Sequence, residues 1–404
     1  MKHLKILLAI FFLVLITSCS NNDGEPATET PTGGTDNSNK VYVVGGEEKG
    51  GLIVPVIWTN GVKNFLPTVA DTDVDDLKVA VENNNVYVVG VETNSNKDKS
   101  IVLWKNGVQS RFTQPVKYIE IMQLIVDNDN VYVLGKDYSN TEVEKYKYWK
   151  NGVATTIINS SVPISGDTEE NRISEMVVAN NDVYCIGYEW NTAATTLTAK
   201  YWKNAVPTNI AVFKDEISDY VKDIQVNGTD ISILYNQLNT TTFAQEAKLW
   251  KNNVTTVIAS GNSDFYASEL VVKDGVEHIL IDEEISTSKT KVLYFKNRVK
   301  TEITDGSFDV DRSYMKVDGS NVGVAYYTDL DFTYSMKYWL NGTTKTLTGN
   351  NFAVFDTFFL SGTNVYMTSS ESSLPKLWVN ATETVLAFDA AKSYTFASDV
   401  FVTK

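Results

Sequence analysis

From residue 41 to residue 402 the chain alternates short apolar runs with clusters of Asn, Asp and Gly. The third unit shows the pattern plainly. Residues 122–126 form one apolar run (strand a), the turn Asp127-Asn128-Asp129-Asn130 follows, and 131–135 form a second run (strand b). After a loop over 139–144, residues 145–150 (strand c) and 153–158 (strand d) flank Asn151-Gly152. Asn-Gly between apolar runs is a strong hairpin signal, because both central positions of a type I′ turn need a positive φ. Strands a and b are nearly continuous apolar runs, which suits a sheet covered on both faces. No stretch of this region carries a convincing helical period.

The unit repeats. Tyr148-Trp149-Lys150-Asn151-Gly152 has counterparts at Trp58, Trp104, Trp202, Trp250, Phe295, Trp339 and Trp378, making eight copies. Their mean period is about 46 residues, within the range of propellers and solenoids. The interval from the Tyr position of strand b to the Trp position is 16 to 18 residues in seven units and 12 in the last. Units five to seven depart most from the pattern, with Ser232, His278 and Gly323 at the Tyr position. Ala205, Arg298 and Ala381 replace the turn Gly, so their turns should be strained or of another type.

The array opens on a strand b at 41–44 and ends on a lone strand a at 398–402. The final strand can therefore complete the first sheet and close the ring, leaving no open edge between its ends. The expectation is an all-β, eight-bladed β-propeller over residues 40–404, with four-stranded antiparallel blades. Seven blades with one degenerate unit is the alternative. The pattern Asn-Asp-Val-Tyr-Val-x-Gly … Tyr-Trp-Lys-Asn-Gly resembles repeat lipoproteins of Bacteroidota predicted to be β-propellers, most of them without assigned function. That resemblance implies a fold and a cell-surface address, and it carries over no catalytic residues.

The beginning of the chain agrees with that address. Lys2 and Lys5 precede an apolar core from Ile6 to Ile16, too short for a bilayer span but right for the h-region of a signal peptide over residues 1–18. Ile16-Thr17-Ser18-Cys19 resembles the lipobox of bacterial lipoproteins, which implies cleavage before Cys19 and its acylation. Residues 19–39, poor in groups to bury, read as a lipidated Cys and a flexible tether. Ser20-Asn21-Asn22-Asp23-Gly24-Glu25 resembles the export signals of surface-exposed lipoproteins. The membrane is thus expected as a partner through the lipid, in an outer-membrane protein facing the cell surface.

Composition then narrows the function. The net charge is −15, and about −17 once Lys2 and Lys5 are removed, which repels phosphate backbones and argues against nucleic-acid binding. Two Cys and two His exclude a disulfide framework and a Cys/His zinc cluster. His278 and Cys185 both fall within strand b and read as blade core, so nothing assembles a Ser-His-Asp or Cys-His system. The four Arg lie in unrelated units, unlike the Arg cluster of sialidase-like sites. No cofactor is expected and a monomer is.

The a–b and c–d turns are short and uniform, whereas the b–c and d–a connections vary and share one end of the blades. Binding belongs on that loop face. Its candidate ligand-binding aromatics are Tyr188, Trp190, Tyr326, Tyr327, Phe332 and Tyr334, and its longest connection runs over 160–171. Glu175, Asp223, Glu269 and Asp399 open their strands a and are expected at the channel mouth, where a cation could bind. Asp71, Asp73 and Asp75 superficially match a calcium loop, but Asp76 stands where such a loop needs Gly. These features point to a non-enzymatic module that binds a glycan or an extracellular protein. A glycan hydrolase or lyase with paired carboxylates on the loop face, or a structural envelope protein, are the rivals.

Overall fold

A computed structural model describes residues 39–403, except 139–144, 160–170, 192, 214–220, 331–332, 348–354, 372–373 and 392–393. The expected signal segment, tether and Cys19 lie outside the described residues, apart from Asn39. The chain forms eight four-stranded antiparallel sheets arranged as an eight-bladed β-propeller, each with its strands in the order a-b-c-d. Blade 1 takes strands b, c and d from Val41–Lys49, Leu52–Thr59 and Val62–Phe65, and strand a from Thr395–Val402 at the other end of the chain. Val43 faces Val400 across this junction, so the expected closure is present and the seven-bladed alternative is not.

The repeated aromatic makes the ring. Eight apolar clusters fill the gaps between neighbouring blades, one to each gap. Each holds the Trp or Phe of one blade against strands a, b or c of the blade before it. Trp104 of blade 2 packs with Tyr42 and Val44 of blade 1, and Trp58 of blade 1 packs with Tyr366 of blade 8. Burying one such ring is worth about 5 kcal/mol of transfer free energy as an upper estimate. In blades 1 and 2 its N–H is also satisfied: Trp58 Nε1 donates to Ala387 O and Trp104 Nε1 to Pro67 O, both at 2.7 Å.

The Asn of the motif has a role beyond the turn. In all eight blades its Oδ1 accepts an N–H from the start of strand b, at 2.8–3.0 Å. In six blades its Nδ2 also donates to the Asn or Asp that opens strand b. One side chain thus ties the c–d turn to the a–b turn. Lys105, Lys150 and Lys203 lie over the rings of Tyr87, Tyr132 and Tyr184 at 4.9–5.4 Å, a cation–π contact between cross-strand partners. The substituted turns keep the type I′ geometry: φ is 50° and 64° at Asn204 and Ala205, 47° and 70° at Asn297 and Arg298, and 50° and 72° at Asn380 and Ala381. They are strained, not of another type.

Every strand a carries a register shift against its strand b. The bulge places extra residues of strand a opposite strand b and breaks the alternation of faces. Strand a of blade 3 accordingly runs Tyr118–Asp127, longer than the 122–126 expected. Opposite the bulge, a Cβ on Gly45, Gly135 or Gly187 would stand 1.9–2.1 Å from a strand-a carbonyl oxygen, which explains the Gly of Val-Tyr-Val-x-Gly. Blades 5, 6 and 7 have Tyr235, Ile281 and Tyr326 at that position. The strand-a carbonyl oxygen cannot stand there as it does in blade 4.

Candidate functional site on the loop face of blades 5 to 7

Strand b of blade 6, Val276–Ser286, carries Asp282 near its loop end. The Asp282 carboxylate accepts hydrogen bonds from Ser268 Oγ at 2.6 Å and from Ser313 Oγ at 2.8 and 2.9 Å. Ser268 is the residue that the blade 6 bulge leaves without a partner opposite, and Ser313 comes from strand a of blade 7. The bulge therefore turns a small hydroxyl toward a neighbouring carboxylate. Burial pushes Asp282 up to about 6, against the two serines and Lys222, which favour the charged form.

Asp282 lines a cavity of about 710 Å3. Lys222, Asn236 and Gln245 of blade 5 form one wall, and Asp309 and Arg312 of blade 7 form the opposite wall. Tyr266, Glu269, Glu284 and Thr290 of blade 6 lie between them, and Arg172 reaches it from blade 4. The wall is fixed by its own hydrogen bonds. Ala267 N donates to Asn236 Oδ1 at 2.7 Å, Gln245 N to Asp264 Oδ1 at 2.7 Å, and Thr290 Oγ1 to Asp309 Oδ1 at 2.8 Å. Gln245 is 5% exposed, and its side-chain oxygen has no hydrogen-bond partner.

The four acids expected at the channel mouth sit in strand a. Each accepts a backbone N–H from strand a of the next blade: Glu175 from Ile224 (3.2 Å), Asp223 from Leu270 (2.7 Å), Glu269 from Met315 (2.7 Å) and Asp399 from Val79 (3.0 Å). Gln123 does the same to Met176 at 2.9 Å. They are inter-blade stitches. Burial raises all four above the ordinary carboxylate range, and the charge of Asp223 raises Glu175 further. Glu269 is pushed up to about 7, and Lys316 opposes that shift. Glu269 alone of the four also borders the cavity.

The aromatic candidates come out differently. Tyr188, Tyr326 and Tyr327 are 2%, 2% and 4% exposed and pack between blades, which corrects the expectation that they stand on the loop face. Strand b runs further than its apolar core suggested, so these rings lie inside the sheet and not in a loop. Trp190 is half-buried against the core between blades 4 and 5. Tyr334 belongs to strand c of blade 7, Thr333–Leu340, and Phe332 lies outside the described residues. The aromatic residues that do border the cavity are Tyr266 and Tyr314.

The aspartates read as a superficial calcium loop are occupied separately. Asp73 Oδ1 accepts Ile53 N–H at 2.6 Å, Asp75 pairs with Lys99 at 3.6 Å, and Asp71 is an exposed turn residue with φ 58°. Among the described residues no group of three or more His, Cys, Asp or Glu side chains is placed to hold a metal ion. His278 and Cys185 are buried blade-core residues, as expected. His278 Nδ1 shares a hydrogen bond of 2.6 Å with Tyr294 Oη, away from the cavity lining.

No protein family and no curated protein matches the chain by sequence. Solved structures do match by shape. The β-propeller domain of the Trilobed protease from Pyrococcus furiosus, described as having an open velcro topology, aligns with a TM-score of 0.50 at 12% identity, over 80% of this chain and 97% of that domain. A prolyl endopeptidase aligns with a TM-score of 0.51 at 8% identity, over 82% of this chain and 50% of its own. At these identities the likeness shows the fold alone.

Proposed function

We propose that the protein is a non-enzymatic binding module that takes a glycan into the loop-face cavity of blades 5 to 7. The observation that carries this reading is the character of the cavity. It is concave, about 710 Å3, and walled by carboxylates, amides and hydroxyls beside the ring of Tyr266. A hydroxyl-rich ligand finds partners on every side there and an aromatic edge for a sugar face. An extracellular protein would engage a flatter and wider surface. The rival reading, a glycan hydrolase, would use two of the cavity's carboxyl groups as acid and as nucleophile or base, and turnover of a bound glycan separates the two.

Within the same reading, acylated Cys19 holds the propeller on the outer membrane, facing the cell surface, as a monomer. Multiple acyl chains give stable anchoring where one alone is marginal. The test of the site is a glycan array probed with the full chain in detergent, beside a Tyr266→Ala variant. Binding that falls in the variant supports the reading. Binding unchanged in the variant, turnover of the bound glycan, or an array without signal while a surface protein is captured would overturn it. For the address, Cys19→Ala should move the protein from the membrane to the soluble fraction. Retention of the variant in the membrane would refute the anchor.

A further inference from the structure

The end of the ring opposite the cavity carries a pattern of its own. The a–b and c–d turns share that face, where strand d, the outermost of each blade, begins. In blades 1 to 6 its first residue is an exposed valine: Val62, Val108, Val153, Val206, Val254 and Val299 are 64–72% exposed. They occupy the same step of successive blades, so the rotation that relates the blades sets them in one plane around the rim. A β-branched residue suits an edge strand, yet Thr343 and Thr382 fill the position in blades 7 and 8. Strand propensity alone therefore does not call for Val. Single surface valines are ordinary; six at one height are not.

The same face is free of the acidity of the whole. Its fifteen two-residue turns, counted with one flanking residue on each side, hold seven acids and seven bases, in a chain of net charge −15. In blades 2 to 6 the cross-strand partner of the valine is a lysine, as Lys105 is of Val108 and Lys150 of Val153. An apolar body beside an amine is the pairing that settles at a lipid headgroup layer. The chain itself indicates the occupant. The described residues begin at Asn39, and on this face Lys40 N donates to Thr403 Oγ1 at 3.0 Å and Val41 N to Asn60 Oδ1 at 2.9 Å. Residues 19–38 separate that point from the proposed lipid and reach no further than about 70 Å. A bilayer is also flat, and meets all six valines at once.

We propose that the turn face docks on the lipid bilayer, with the valine rim at the headgroup layer and the loop-face cavity turned away from the membrane. The docking rests on the anchor reading above for its effective concentration, but not for its contacts. The test places an environment-sensitive fluorophore on Val108→Cys, at the rim, or on Ser288→Cys, exposed on the loop face of blade 6; Cys185 is buried and does not compete. Each full-length acylated chain is reconstituted into phosphatidylcholine–phosphatidylglycerol vesicles that contain a nitroxide-headgroup lipid. Quenching should be at least about threefold stronger at Val108 than at Ser288. It should fall when the other five rim valines are replaced by Thr, the residue of blades 7 and 8. Equal quenching at the two sites on vesicle-bound chains, stronger quenching at Ser288, or a Thr-substituted rim quenched as before would overturn the docking and leave the anchor standing. An emission shift that arises without vesicles and grows with protein concentration would assign the face to a second copy of the chain and overturn the proposal too. Should the unaltered chain not be held by its lipid, the anchor reading fails. The Val108 label on a Cys19→Ala chain with excess vesicles then decides the docking alone, upheld by quenching and overturned by its absence.

Discussion

Blades 1 to 4 and blades 5 to 7 solve the same problem in different ways. In the first arc, strand b carries Tyr and then Gly three residues on, as at Tyr184 and Gly187. At Gly45, Gly135 and Gly187 the bulge of strand a presses a carbonyl oxygen to where a Cβ would stand, 1.9 Å away in the case of Gly187, whereas at Gly90 that oxygen is 3.3 Å away. In the second arc the Tyr gives way to Ser232, His278 and Gly323, and the Gly to Tyr235, Ile281 and Tyr326. The bulge remains and the strands stay paired, but the strand-a carbonyl oxygen cannot stand where it does opposite Gly187. The cavity opens in that second arc, with Lys222 and Ser268, residues of two of its bulges, in its wall. The lesson is that departures from a structural repeat can mark a site more sharply than exposed aromatics do.

Both arcs depend on closure, so the largest effect should come from removing it. Deleting residues 397–404 takes most of strand a from blade 1 and exposes Trp58 and Tyr42. The truncated chain should aggregate or lose its cooperative melt, and an unchanged melting temperature would break the account of closure for both arcs. Next in size is Gly187→Ala, which sets a methyl against the Arg172 carbonyl. It should cost about 3 kcal/mol or more in a denaturant melt. Gly323→Ala in the second arc meets no backbone atom, only the ring edge of Phe358 at 3.0 Å, and should cost about 1 kcal/mol. Equal costs would dissolve the contrast.

The stitching acids give a pH test. Glu269 is pushed up to about 7 in the fold, above the ordinary value of about 4.3. A carboxyl whose folded value is raised favours the protonated fold. Its contribution is full below the unfolded value and is lost as pH rises through about 7. The protein should therefore melt higher near pH 5 than near pH 8, by on the order of 2 kcal/mol from this group. Glu269→Gln keeps an acceptor for Met315 N–H and should flatten that dependence. A variant as pH-dependent as the parent would assign the effect elsewhere.

Two smaller predictions compare turns. Asn106→Ala and Asn341→Ala remove the same stitch from a regular and a divergent blade, and each should cost about 1–2 kcal/mol. A large difference between them would mean that the divergence reaches the turn face too. Smallest, and of opposite sign, Ala381→Gly and Arg298→Gly relieve a left-handed residue, and should each raise stability by about 1 kcal/mol.

The residues that announced the fold are those whose job is identical in every blade. Trp104 and its counterparts fill one kind of gap, and Asn106 and its counterparts close one kind of turn, so their chemistry recurs at a fixed interval and is legible from sequence. The chain ends were legible for the same reason, since strands b and a at 41 and 402 lacked partners of their own. Tyr188 and Tyr326 lie inside the sheet because strand b runs past its apolar core at the loop end of the blade, and no sequence signal marks where it stops. Nothing in the sequence joins Ser268 to Asp282 or brings Gln245, Asp282 and Ser313 to one cavity. They are 68 residues apart from first to last and come from three blades. The sequence by itself determined the blade, its repeat and the closure of the ring, because those rest on contacts at a fixed spacing. The cavity, the burial of its acids and the unmatched Gln245 oxygen were decided by the tertiary structure alone, because they arise where three blades meet.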